Sequence, residues 1–97
     1  MREYYLYVVE LSDDAGPRVN PDKPSVYVGQ SYREPRERFW QHRTGYKASR
    51  WVRKFGIRLL PRLYKDLNPI YSDERYEAEE ELAEELRSQG YTVYGGH

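Results

Sequence analysis

YYLYVVEL at positions 4–11 and SVYVGQS at positions 25–31 decide the architecture. In the first, Tyr5, Tyr7, Val9 and Leu11 share one parity while Tyr4, Leu6 and Val8 share the other, which predicts a strand over 3–11. In the second, Val26 and Val28 stand on one side and Tyr27 on the other, which predicts a strand over 25–30. Between them, SDDAGPRVNPDKP (12–24) is turn chemistry without an apolar period, hence an exposed connection. Nothing in it supplies a helical crossover, so the two strands pair antiparallel. Tyr7 and Tyr27 then project from one face of the sheet, and Leu6, Val8, Val26 and Val28 cover the other.

Downstream, Pro35 suits a first helical position, and a helix is expected over 34–43, stopping before Gly45. Arg38 and His42 lie four apart on it, one turn above each other, with Phe39 and Trp40 supplying its apolar contacts. A second short helix fits Ala48 to Phe55 with Gly56 as its stop; Trp51, Val52 and Phe55 form its buried stripe. IRLLPRLY (57–64) alternates as a strand, at an edge or with a bulge, because Pro61 cannot donate to a ladder. Asn68–Ile70 turns the chain. Ser72 is the expected N-cap of a long helix ending at Gly90, whose acidic first turns suit the helix dipole. Tyr91 to Tyr94 makes a last short strand. The expected fold is a small α+β domain, one unit over 1–97, with a mixed or antiparallel sheet of three or more strands flanked by helices.

Composition narrows the function classes. Ninety-seven residues without cysteine allow one modest core but no disulfide framework and no thiolate zinc site. No apolar run reaches membrane-spanning length, and residues 1–11 lack the features of a signal peptide, so a cytoplasmic location without membrane attachment is expected. The net charge of zero conceals segregation. Nine Lys or Arg residues and no acid lie between Arg38 and Lys65, whereas Asp73 to Glu85 holds eight acids against Arg75 alone. Phosphates feel the local field rather than the sum, so the basic span predicts a polyanion partner, nucleic acid above all. Lys47, Arg50, Arg53 and Lys54 would track the backbone of that polymer, with Tyr46 or Trp51 stacking on a base, although its apolar neighbours place Trp51 in the core first. His97, after Gly95–Gly96, reads as a solvent-exposed end.

Several side chains carry chemistry suited to phosphate. A guanidinium such as Arg38 offers a fixed donor fork to oxygens on which charge is building. His42, one turn away, would accept a proton from water or a tyrosine, or hydrogen-bond a phosphate. Tyrosine titrates near pH 10 and acts as a base only where a cation favours the phenolate. On the long helix the apolar stripe is Ala78, Leu82, Ala83 and Leu86. Glu79 lies three, four and seven residues before the last three, so it points along the buried face, with Glu80 the next choice. A carboxylate there is costly unless paired or coordinated.

The ordered set of tyrosine strand (LYV at 6–8), tyrosine-glycine strand (YVG at 27–29), Arg-x-x-x-His helix (38–42) and later glutamate helix resembles the signature of the GIY-YIG nucleases. The resemblance covers nearly the whole chain, from Tyr5 to about Tyr94. It implies metal-dependent endonucleolytic hydrolysis of phosphodiester bonds, in DNA rather than RNA, with one Mg²⁺ or Mn²⁺. It assigns Tyr7 to activating the attacking water, Tyr27 and Arg38 to the scissile phosphate, His42 to assisting Tyr7, and Glu79 to the metal. Sequence preference would be weak unless the chain forms a homodimer or works with a protein partner. Two departures stand out. Tyr91 is followed by Thr92 where many members carry an asparagine, and the connection between the tyrosine strands is about twice the usual length. An alternative is a module of this fold that binds nucleic acid with weak catalysis or none.

Overall fold

The computed structural model describes residues 2–96; His97 lies outside the described residues. β1 (Glu3–Leu11) and β2 (Ser25–Ser31) pair antiparallel, with Tyr7 opposite Gly29, Val8 opposite Val28 and Val9 opposite Tyr27. That register puts Tyr7 and Tyr27 on the same face, as the alternation requires. α1 (Pro35–Thr44) begins on its proline, and Gly45 closes it at φ 92°, a left-handed conformation that glycine adopts without Cβ strain. α2 (Arg50–Phe55) runs directly into β3 (Gly56–Leu59). At Gly56 a Cβ would meet the Val52 carbonyl oxygen at 2.5 Å, so only glycine permits so abrupt an exit. β4 (Ile70–Tyr71), α3 (Arg75–Ser88) and β5 (Thr92–Gly95) complete the chain.

The result is an α+β fold with a mixed five-stranded sheet in the order β3-β1-β2-β5, β4 pairing separately with β1. β5 lies parallel to β2. Leu6, Val8, Val26 and Val28 are buried with Leu82, Ala83 and Leu86 of α3 in one core. A Cβ at Gly96 would meet both Ala83 and Val28, and Leu6, Ala78 and Leu82 line one groove, which places α3 over that side of the sheet. The tyrosine side faces α1. No helix among the described residues is long and apolar enough to cross a membrane.

Four local expectations are corrected. α2 starts at Arg50 rather than Ala48, because Ser49 caps it: the hydroxyl accepts from the Trp51 N–H. The strand expected over 57–64 stops at Leu59, and Pro61 opens a 3₁₀ turn instead of lying at an edge or bulge. The long helix begins at Arg75, not after Ser72, because Tyr71–Glu74 is first closed by a turn in which the Glu74 N–H donates to the Tyr71 carbonyl. Trp40 is 65% exposed. Arg38, Phe39 and His42 occupy the inward arc of α1, and Trp40 points away from it.

One edge of β1 is completed by an unexpected device. After β3 pairs with residues 9–11, the Leu60 N–H donates to the Val8 carbonyl. The Asn68 side chain then binds both backbone groups of Leu6, accepting at 2.7 Å and donating at 2.8 Å, before β4 takes over at Tyr4 and Glu3. A side-chain amide thus substitutes for a strand residue where the chain turns, leaving no orphaned backbone group on Leu6.

Candidate active site

Tyr7 of β1, Tyr27 of β2 and His42 of α1 come together on the tyrosine side of the sheet, and the charges of Arg38 on α1 and Glu79 on α3 act on both phenols. Tyr7 and Tyr27 stand with ring centroids 6.3 Å apart, and the His42 ring lies 5.8 Å from the first and 6.1 Å from the second. Tyr7 Oη and His42 Nε2 are 2.9 Å apart. Gly29 makes room for this. A Cβ at that position would sit 2.5 Å from Cζ and Oη of Tyr7, so the phenol rests against bare backbone.

His42 is buried, and both of its ring nitrogens are engaged. Nδ1 accepts the Ser49 N–H at 2.9 Å, so in the neutral ring the proton resides on Nε2 and is donated to the Tyr7 oxygen. Burial, aided by the Arg38 charge, lowers its pKa from 6.5 to about 4, so the ring is neutral at physiological pH. Both ring nitrogens are thus occupied, and the imidazole faces the Tyr7 oxygen as a donor. Ser49 was not foreseen because the helix was expected to start two residues earlier, at Ala48. The Ser-x-x preceding Val52 is the cap signal that would have found it.

Burial is the largest influence raising the Tyr7 phenol above its usual value of 10; Tyr27 and Glu79 add to it, and Arg38 opposes it. Tyr27, less deeply buried, is raised by the same cause, with Ser49 and Arg38 opposing and Glu79 reinforcing. Arg38 and Glu79 therefore both act on both phenols, from opposite signs. Arg38 is fixed by bonds to Gln41 Oε1 at 3.2 Å and to the carbonyls of Tyr46 and Lys47 at 3.3 and 2.8 Å. Lys47 adopts φ 44°, unusual for a residue with a Cβ, and its carbonyl is the closest of these acceptors. Glu79 is 5% exposed whereas Glu80 is exposed, which matches the helix phase read from the apolar stripe. Of the five, Arg38 and Tyr27 keep partial exposure and form the entrance.

Among the described residues no group of three or more His, Cys, Asp or Glu side chains could hold a metal. One buried carboxylate, Glu79, is nonetheless a protein ligand of the kind magnesium uses while keeping several waters. The expected backbone-tracking residues lie outside the cluster. Lys47, Arg50, Arg53 and Lys54 are all exposed along the loop and α2 next to it, and the surface ion pairs use Arg18, Arg33, Arg58 and Arg87 instead. Trp51 is half-buried and stacked on Tyr94 at 4.4 Å, so it packs, as its neighbours implied, and Tyr46 is the exposed ring. Thr92, in the place of the absent asparagine, accepts the Val19 N–H at 2.8 Å and ties down the long connection. No family model, curated protein or solved structure matches the chain.

Proposed function

We propose that this chain is a metal-assisted endonuclease of the GIY-YIG kind, hydrolysing phosphodiester bonds in nucleic acid, with DNA the substrate, as a single cytoplasmic domain. The observation that carries the reading is the convergence of Tyr7, Tyr27, Arg38, His42 and Glu79, distant in sequence, within one another's electrostatic reach. Perturbed phenols and a buried imidazole under the influence of a guanidinium and a carboxylate are enriched at functional sites.

Tyr7 is the base, accepting a proton from the attacking water once it is a phenolate. The Nε2–H of His42 stabilises that phenolate, and Arg38 favours it electrostatically. Tyr27 and Arg38 hold the scissile phosphate, and the carbonyls of Tyr46 and Lys47 keep the guanidinium aimed while charge builds on the phosphate oxygens. Mg²⁺ or Mn²⁺, held by Glu79, would supply positive charge that lowers the phenol pKa and screens the phosphate. Lys47, Arg50, Arg53 and Lys54 steer the polymer, and weak sequence preference is sharpened by a second copy or a protein partner.

Purified protein on branched and linear DNA with Mg²⁺ tests this. The expected result is nicking by the wild type and binding without nicking by Glu79→Gln. Equal nicking by both removes Glu79 from the site. The second reading, a binding module that has lost catalysis, is favoured by Thr92, whose hydroxyl is committed to Val19 where relatives of this pattern offer an amide. It predicts DNA binding without nicking by the wild type itself. A protein-interaction domain predicts no DNA binding even at low salt.

A further inference from the structure

Beside the cluster, and sharing Arg38 with it, lies a cavity of about 260 Å³ between the end of β2, the 46–47 loop and the start of α3. Its walls carry Arg33, which is paired with Glu37, together with Arg38, Lys47 and Arg75, and no carboxylate lines them, in a chain with equal numbers of acids and bases. They also carry aromatic rings. Tyr46 and Tyr76 are each 56% exposed at its rim. The Arg75 guanidinium lies 4.4 Å from the centroid of Tyr4 and 4.7 Å from that of Tyr76, a flat stack already built from a cation and two rings. The volume falls just below the roughly 300–1,000 Å³ of small-molecule sites, enough for one nucleotide-sized group and no more.

We propose that this cavity receives a single unstacked nucleotide adjoining the scissile phosphate, so that the preferred substrate carries an unpaired nucleotide at the cut site. The inference rests on the nucleic-acid reading above and sharpens it. Exposed tyrosines offer π-faces to a base whatever its identity, and the cations hold its flanking phosphates. A fully paired duplex keeps its bases stacked and leaves these groups unused.

The test is binding without divalent metal, so that nothing is cut. Labelled duplex, the same duplex with one unpaired nucleotide, and a single-stranded oligonucleotide are titrated with the full chain, and inorganic phosphate and an acidic peptide serve as competitors. The duplex with an unpaired nucleotide should bind about tenfold more tightly than the paired one, the size of one base–aromatic stack. That preference should vanish in Tyr46→Leu and in Tyr76→Leu, both at exposed positions that leave the core intact. Equal affinity for paired and unpaired DNA, survival of the preference in both variants, or equally effective competition by phosphate or peptide would each overturn the proposal. Preference without any cleavage when Mg²⁺ is added would leave this site standing and remove the nuclease reading; cleavage without preference would do the reverse.

Discussion

One hydrogen-bonded chain, Ser49 N–H to His42 to Tyr7, organises the candidate site. Because Nδ1 is occupied by a backbone donor, the imidazole presents N–H to the phenol, and in the proposed hydrolysis the base is Tyr7. Its pKa is raised, so the phenolate fraction grows about tenfold per pH unit through neutrality. Cleavage rates under single-turnover conditions should therefore climb with unit slope from pH 6 to 9. A base at His42, with a pKa of about 4, would give a flat profile over the same range. Tyr7→Phe should lower the rate by roughly 10²–10⁴-fold with the fold retained. The same imidazole affects stability. Its folded pKa lies below the unfolded value of 6.5, so as pH falls from about 6.5 to about 4 the unfolded chain binds the proton first and stability is lost. Urea unfolding should show this as an added slope of at most about 1.4 kcal/mol per pH unit, missing in His42→Gln. Gly29→Ala should impair catalysis by displacing the Tyr7 ring, which its new methyl would meet at 2.5 Å.

α3 illustrates what periodicity reveals and what it cannot. Spacing from Leu82, Ala83 and Leu86 identified Glu79 as the inward carboxylate among six glutamates, and the structure buries it while leaving Glu80 exposed. Glu79→Gln should abolish Mg²⁺-dependent cleavage, whereas Glu80→Gln should leave the rate and the melting temperature near wild type, surface changes being worth about ±0.5 kcal/mol. The same alternation that places Tyr7 opposite Gly29 also puts Tyr27 on its face, so the paired strands could be derived from the chain. What sequence did not reveal depends on non-local partners. Ser49 matters because His42 lies above it, and Asn68 because Leu6, 62 positions away, needs its backbone satisfied. β4 is two residues long and carries no period at all. Asn68→Ala should cost about 1–3 kcal/mol, seen as a lower urea midpoint, through two unsatisfied backbone groups.

For the molecule as a whole, zero net charge hides a polarity that the fold keeps. The basic residues of the loop and α2 are exposed beside the cluster, while the outer glutamates of α3 face solvent on their own helix. DNA affinity should thus fall steeply with salt, and the slope should flatten by about 0.9 for each phosphate contact removed in Lys47→Gln, Arg50→Gln, Arg53→Gln or Lys54→Gln. That acidic face is also the main competitor for any added cation, which makes the location of the metal decisive. Manganese titrated into protein with ring-labelled tyrosines, followed by paramagnetic broadening of the eleven tyrosine signals, reads that location directly. Tyr7 and Tyr27 should broaden first in the wild type and not in Glu79→Gln. Sharp signals from both, with broadening confined to residues beside the outer glutamates, would contradict a metal held at this cluster.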